Sequence, residues 1–216
     1  MKRIIGLLFL VTAPAFISAQ EIDPDLMKIK KRMDSIAQFS AELQLDLDVP
    51  FINMPTKYAS MDYKVGKDIQ FSSDDFVVLP KRGLDFAFSE LFEYSFITVN
   101  RGNDFINGQE VKVINVIPTD KRSDMALATL YLDVKNARIT ASEITTKKNG
   151  TYNLSIQYEN KQDILPNKIE VVFAVEKLKI PLNFMGSDTD IDRKAMRNMD
   201  TKTGKIRLKV SNYKVN

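Results

Sequence analysis

The side chains that most often perform catalysis near neutral pH are missing from this sequence. It contains no His and no Cys. Their absence excludes a Ser-His-Asp triad, a zinc site with imidazole ligands, thiol catalysis and an iron–sulfur cluster. Carboxylates, Lys, Tyr and hydroxyl groups remain, so any chemistry would have to come from clusters of these.

One carboxylate pair has the spacing to share a face of a strand. Asp46 and Asp48 lie two residues apart, and side chains at that spacing point to the same side of a β-strand. Leu45, Leu47 and Val49 alternate with them. The alternation favours the polar side of an amphipathic strand over an acid–base pair.

A second acidic stretch, DTDID from Asp188 to Asp192, resembles the opening of a calcium-binding loop. It lacks the glycine at the sixth position and the glutamate at the twelfth that such loops use. The sequence also has no glycine-rich phosphate loop. We therefore expect no enzymatic activity, no cofactor and no metal site.

Residues 1–19 have the pattern of a secretory signal peptide. Lys2 and Arg3 precede an apolar run from Ile4 to Val11, and small residues lead to Ala19. This run is shorter than the stretch of about 20 apolar residues that spans a bilayer. We therefore expect export with cleavage near Ala19, one mature domain over residues 20–216, and no transmembrane segment in the mature chain.

The charge is nearly balanced once the signal peptide is set aside. Without Lys2 and Arg3, the 31 basic residues fall to 29, against 28 acidic ones. That balance argues against nucleic acid as a partner. The composition, 44% hydrophobic and 27% charged, is that of an ordinary globular domain.

The basic residues concentrate at the C-terminus, where eight lie between Arg193 and Asn216 and only Asp200 opposes them. One interpretation is a solvated edge strand that lysines protect from aggregation. The other is a docking surface for an acidic envelope protein or an anionic headgroup. The candidate residues for that surface are Arg193, Lys194, Arg197, Lys205, Arg207 and Lys209.

Hydrophobic periodicity predicts a mainly β, α+β fold. Apolar residues at helical spacing predict a helix from Asp25 to about Gln38, and strict alternation in AELQLDLDV predicts a strand from Ala41 to Val49. Further alternating segments, separated by turns such as Asn107-Gly108, raise the number of antiparallel strands to about nine or ten.

The segment MALATLYLDV, residues 125–134, is apolar on both faces. One face carries Ala126, Ala128, Leu130, Leu132 and Val134, and the other carries Met125, Leu127 and Tyr131. An antiparallel sheet of this size can curl strongly, and two short helices can hardly fill its concave side. We therefore expect a covered concave face with an apolar cavity that binds an apolar ligand.

The aromatic-rich segment KRGLDFAFSELFEYSF, residues 81–96, fits a short helix. It is either a core helix that plugs the sheet or a movable lid over the cavity. The candidate lid residues are Phe86, Phe88, Leu91 and Phe92.

Several segments, in this order, resemble the LolA-like superfamily of periplasmic outer-membrane lipoprotein carriers, related receptors and the sigma-E regulatory sensor. They are FSAELQLDLDVP, GQEVKVINVIPTD, ATLYLDVKNARITASEI, GTYNLSIQYEN, ILPNKIEVVFAV and IRLKVSNYKVN. The resemblance implies an unclosed, strongly curved antiparallel β-barrel whose N-terminal helix and short helical lid cover a hydrophobic cavity. The carriers hold the lid through an arginine on an early strand, whereas residues 40–65 of this sequence contain no Arg.

The resemblance implies a monomeric periplasmic protein of a Gram-negative bacterium that shields acyl chains of a lipid or lipoprotein, with a role in lipoprotein sorting. A non-enzymatic envelope sensor or protein-interaction module without lipid cargo is the alternative. The cavity candidates are Leu43, Leu45, Leu47, Met61, Tyr63, Leu127 and Tyr131.

Overall fold

The computed structural model describes residues 22–67, 69–73, 90–148, 150–175 and 188–215. The predicted signal peptide and the lid candidates Phe86 and Phe88 lie outside the described residues. So does the segment DFVVLP, residues 75–80, for which the sequence pattern predicts a short strand. No helix in the described ranges is long and apolar enough to cross a membrane.

The described residues form three helices and twelve strands. The helices are α1 (Pro24–Asp34), α2 (Glu90–Glu93) and α3 (Arg193–Asn198). The first six strands are β1 (Gln38–Asp48), β2 (Ile52–Asn53), β3 (Lys57–Lys64), β4 (Gln70–Ser72), β5 (Phe96–Ile106) and β6 (Gln109–Pro118). The other six are β7 (Met125–Asp133), β8 (Arg138–Thr146), β9 (Thr151–Gln157), β10 (Lys168–Val175), β11 (Asp190–Ile191) and β12 (Lys202–Val215).

Ten of these strands form one antiparallel sheet in the order β4-β3-β1-β12-β10-β9-β8-β7-β6-β5. The C-terminal strand β12 lies between β1 and β10, so it joins the N-terminal strands to the meander from β5 to β10. The outermost strands β4 and β5 do not pair with each other, and the sheet is an unclosed half-barrel. The predicted fold class is confirmed.

The sheet has one covered face, and β1 shows which one it is. Phe39, Ala41, Leu43 and Leu45 are buried, whereas Glu42 between them is exposed. We call the side of the buried set the inner face and the opposite side the outer face. The same alternation in the other long strands builds one hydrophobic core on the inner face.

Helix α1 begins one residue before the predicted start at Asp25 and ends earlier than predicted. Asp23 caps its N-terminus by accepting hydrogen bonds from the backbone N–H groups of Asp25 and Leu26, and Pro24 takes the first helical position. The prediction that the helix reaches about Gln38 is wrong, because the helix ends at Asp34 and β1 begins at Gln38. Tertiary packing decides this boundary.

Aromatic contacts hold the start of β1 in the sheet. Phe39 stacks on Tyr63 with ring centroids 5.1 Å apart and meets Tyr213 edge-on at 5.6 Å. These rings come from β3 and β12 on either side of β1. Packing of this kind outweighs a helical pattern that continues for only a few residues.

Strand β5 occupies residues for which the sequence pattern gave no strand, although the turn that follows it was predicted. Asn107 and Gly108 both have positive φ, at 51° and 78°, as a two-residue hairpin turn between β5 and β6 requires. The described part of the predicted helical segment begins with α2, and Tyr94 and Ser95 separate this helix from β5.

A second, smaller core closes one end of the sheet. Val49, Phe51 and Ile52 from the segment after β1 pack with Phe173 of β10. Helix α3 covers this cluster with Ala195 and Met196, and β2 and β11 pair beside it. This arrangement fixes residues 188–199 against the end of the sheet.

Candidate ligand-binding face

The inner face of the sheet is apolar and continuous across the half-barrel. Buried residues from β1, β3, β6, β7, β8, β9, β10 and β12 belong to one hydrophobic cluster. Leu26 and Ile29 of α1 belong to the same cluster and have no exposed surface. Helix α1 therefore covers part of the inner face.

Lys112 of β6 ties the N-terminus of α1 to the sheet. Its Nζ lies 2.8 Å from the carboxylate of Asp23 and 2.7 Å from that of Asp25. The backbone N–H of Asp23 also donates to Oγ1 of Thr98 on β5, at 2.8 Å. Asp23 and Lys112 are largely buried, so water screens this contact little.

Arg32 ties the other end of α1 to two turns. Its guanidinium donates to the main-chain carbonyls of Asn136 and Ala137, in the turn between β7 and β8. It also donates to the carbonyls of Gln162, at 2.5 Å, and Asp163, at 3.5 Å, in the connection between β9 and β10. A planar guanidinium can reach four carbonyls in this way, and an ammonium cannot.

The acceptor turn between β7 and β8 is held by its own network. Asp133 is buried and accepts hydrogen bonds from the backbone and side chain of Asn136 and from Arg138. Burial raises the pKa of Asp133, but these bonds and one from Gln109 outweigh burial and hold the pKa below its usual range. The turn is thus a preformed acceptor for Arg32.

Helix α2 adds a second cover next to α1. Leu91 is buried in the inner-face cluster. The Phe92 ring packs edge-on against Phe96 at 6.0 Å, and the Lys30 ammonium of α1 lies 5.5 Å from the Phe92 ring centroid. The two lid candidates in the described chain therefore lie beside α1.

Five of the seven cavity candidates lie on the inner face. Leu43, Leu45 and Met61 are buried in the main cluster, and Tyr63 packs against its edge. Leu47 packs against the second cluster at the end of the sheet. The structure therefore brings the candidates from β1 and β3 together along one wall.

Leu127 and Tyr131 lie on the other side of the sheet. Ala128, Leu130 and Leu132 between and beside them are buried in the inner-face cluster, so the intervening positions point to the outer face. Both side chains are only partly exposed, because neighbouring outer-face residues of β6 and β8 flank them. The structure separates this pair from the other candidates.

A β-bulge explains much of the double apolar face of β7. The register between β7 and β8 shifts between Met125 and Leu127. The shift brings Met125 into the same buried cluster as Ala128, and Ala126 is exposed instead. Strict alternation therefore assigns Met125 to the wrong face.

The six basic candidates divide into two groups. Lys205, Arg207 and Lys209 lie on the outer face of β12, where Arg207 contacts Asp48 at 3.1 Å and Glu170 at 3.2 Å. Arg193, Lys194 and Arg197 are exposed on α3. Part of the basic C-terminus is thus matched to acidic residues of adjacent strands.

The DTDID segment has structural partners. Asp188 pairs with Lys57, and Asp192 caps α3 by accepting from the backbone N–H groups of Lys194 and Ala195. Within the described ranges, no group of three acidic side chains is arranged to hold a metal ion.

Three anchoring residues were not identified from the sequence: Arg32, Lys57 and Lys112. Arg32 and Lys112 act on partners far away in the chain, which no local pattern marks. For Lys57 the sequence did contain an indication of burial, because Lys57 lies on the same face of its strand as the apolar residues Ala59 and Met61.

No protein-family model matches this sequence, and no curated protein matches it in sequence. Solved structures do resemble the fold. A domain described as outer membrane lipoprotein-sorting, from Vibrio parahaemolyticus, aligns with a TM-score of 0.52 at 14% identity, over 88% of this chain and 92% of that one. A DUF1329 family protein from Desulfovibrio piger aligns with a TM-score of 0.52 at 12% identity, over 89% and 92%.

A LolA superfamily protein from Nitrosomonas europaea aligns with a TM-score of 0.51 at 10% identity, over 88% of this chain and 93% of that one. Each alignment covers 88% or more of both chains, so the likeness extends over most of the fold. This chain has a divergent LolA-like fold.

Proposed function

We propose that this chain is a periplasmic, non-enzymatic binding protein that shields the acyl chains of a lipid or lipoprotein on its inner face. The observation that carries the proposal is the way α1 covers that face. It buries only Leu26 and Ile29 completely, and polar contacts fasten it at both ends. Such a cover can be exchanged for a ligand.

The free energies of burial favour the exchange of α1 for an acyl chain. Burying the two side chains stabilises the closed position by about 3 to 6 kcal/mol. An acyl chain gains about 0.8 kcal/mol for each methylene that it buries, so about eight methylenes equal the larger figure. The polar contacts at the two ends of α1 add to this cost, so the ligand expected to displace α1 from the cluster is a lipid with one or more long chains, which buries more than eight methylenes.

The predicted signal peptide and the fold support a role in the cell envelope, and outer-membrane lipoprotein sorting is the specific role that we propose. N-terminal sequencing of the exported protein tests the first part. A mature chain that starts at Gln20 in a periplasmic fraction is expected. A chain that retains residues 1–19 would contradict the predicted cleavage.

Native mass spectrometry of the mature protein, with organic extraction, tests the acyl cargo. We expect bound lipid or lipopeptide, and uptake of a neutral pyrene-labelled diacylglycerol by the emptied protein. Uptake should become faster in Arg32→Ala, which releases one end of α1. Lys31→Ala, an exposed neighbour, is the matched control and should behave as wild type.

One observation favours the alternative function, a sensor or protein-interaction module without lipid cargo. The inner face is packed by the protein's own side chains, among them Leu130, Leu132 and Ile144 with 1% exposure or less. A protein of this kind would give a clean apo mass. It would also take up no acyl probe even in Arg32→Ala, and that result would reject the carrier.

A further inference from the structure

Lys57 is a buried cation in the apolar wall of β1 and β3. It shares its strand face with Ala59 and Met61 and lies directly opposite Leu45, all three of which belong to the inner-face cluster. The residue is only 1% exposed. Lysine is almost never fully buried unless it is paired, so this position needs an explanation.

The partner of Lys57 is a carboxylate that stands partly in water. Both carboxylate oxygens of Asp188 lie 2.5 Å from Nζ of Lys57, yet the Asp188 side chain is 53% exposed. The hydrogen bond from Lys57 lowers the pKa of Asp188, so the carboxylate is charged near neutral pH. The pair combines a fixed cation with an anion at the solvent boundary.

Asp188 and Lys57 differ in the free energy that each would lose by leaving the ion pair. The Asp188 carboxylate can turn into water with little loss of hydration, because half of the side chain is already there. The Lys57 ammonium cannot leave without disturbing the core, and a buried charge without a partner is strongly unfavourable. A second carboxylate arriving from solvent would keep the charge balance of the site unchanged.

Apolar side chains continue from Lys57 along the inner face of β3. Tyr63 lies six positions further along β3 than Lys57, a distance of about 20 Å, and the inner-face positions between them are Ala59 and Met61. A ligand with its head at Lys57 would place its chain along this wall. The geometry suits an amphiphile with one anionic end.

We propose that Lys57 receives the carboxylate head of a single-chain amphiphile such as a fatty acid, which replaces Asp188. The inference rests on the proposed function, since it assigns a head-group site to the same acyl-binding face. The inference specifies the class of ligand as an anionic amphiphile, because a lipid with a neutral head would leave Lys57 bound to Asp188.

Calorimetric titration with dodecanoate and 1-dodecanol tests the site, because the two ligands share a chain and differ in the charge of the head. Wild type should bind dodecanoate more tightly than dodecanol. Asp188→Asn removes the competing carboxylate and should tighten dodecanoate binding about tenfold. Lys57→Met should weaken dodecanoate binding about tenfold and leave dodecanol binding unchanged.

Matched controls are available on the same elements. Lys64→Met changes an exposed lysine of β3, and Asp190→Asn changes an exposed aspartate near Asp188; neither should alter binding. Thermal unfolding provides a second readout if Lys57→Met folds poorly. Asp188→Asn leaves Lys57 unpaired, so dodecanoate should raise its Tm more than that of wild type, and acetate should not.

Equal binding of dodecanoate and dodecanol in wild type and Asp188→Asn would overturn the anion site and leave the acyl carrier standing. Failure of every chain compound to bind any variant would overturn both proposals. Tighter binding of dodecyl phosphate than of dodecanoate would overturn the assignment of a carboxylate head.

Discussion

Lys112 and Asp23 form a largely buried ion pair, 2.8 Å long, that fastens the first turn of α1 to strand β6. Asp23 is at the same time the residue that caps the helix. The start of the helix and its attachment to the sheet therefore depend on one carboxylate. Loss of Lys112 would leave that carboxylate buried without its counter-charge.

Lys112→Met should lower the free energy of unfolding by about 3 kcal/mol, because removing one member of a buried ion pair strands the other. Urea denaturation followed by circular dichroism measures the change. Lys28→Met is the control, since Lys28 is an exposed lysine of the same helix. It should cost less than about 0.5 kcal/mol. Equal effects of the two variants would show that the Lys112 contact adds no stability.

The same pair predicts a dependence on alkaline pH. Burial lowers the pKa of Lys112, but hydrogen bonds and charges from Asp23 and Asp25 outweigh burial and raise the pKa. A raised folded-state pKa gives stabilisation that is complete below the unfolded pKa of about 10.4. It is lost as the pH rises through the folded-state value. The stability gap between wild type and Lys112→Met should be constant from about pH 7 to 9 and shrink above about pH 10.5.

Arg32→Lys should loosen the C-terminal end of α1 without unfolding the sheet. The ammonium keeps the charge but loses the planar fork that reaches carbonyls in two turns, at a cost of about 1 to 2 kcal/mol. Hydrogen exchange should accelerate for the last turn of α1 and remain unchanged in β8 and β10. Uniform acceleration across the sheet would mean that Arg32 supports global stability instead.

Leu127→Asp and Leu130→Asp should have very different effects, although both residues lie in the same apolar stretch. Leu130 is 1% exposed in the inner-face cluster, so a carboxylate there should unfold the domain. Leu127 lies on the outer face, so Leu127→Asp should lower the free energy of unfolding by only about 1 kcal/mol. Its variant should also bind acyl ligands as wild type does. Loss of binding in a folded Leu127→Asp protein would place the ligand on the outer face.

Gly204→Ala should destabilise the end of the sheet. A Cβ at this position would lie 2.6 Å from Cγ2 of Val49 and 2.8 Å from Cζ of Phe173. Both are side chains of the second core, so overpacking should cost about 1 to 3 kcal/mol. Thr203→Ala, at the preceding exposed position, is the control and should change Tm by no more than about 2 °C. An unchanged Tm in Gly204→Ala would show that the second core can expand.

Several elements could be predicted from the sequence because interactions between neighbouring residues control them. Asp23 and Pro24 mark the start of α1, and Asn107-Gly108 marks the hairpin between β5 and β6. The alternation of Leu43 and Leu45 with polar residues fixed β1 as a half-buried strand. The order of such segments was enough to predict the LolA-like half-barrel.

Which face of each strand is covered depends on packing between distant elements and could not be predicted from alternation. Alternation defines two faces but does not say which one faces the core, and the bulge at Met125 shifts the pattern within β7. For this reason Leu45 and Leu127, which look alike in sequence, lie on opposite sides of the sheet. The end of α1 was also decided by packing around Phe39.

The polar contacts of the candidate site were likewise beyond the reach of sequence. Arg32 meets Asn136 from 104 residues away, Lys112 meets Asp25 from 87 and Lys57 meets Asp188 from 131. Periodicity reports only neighbours a few residues apart, whereas these contacts exist because the sheet curls and brings distant turns to the ends of α1 and to the wall of β3.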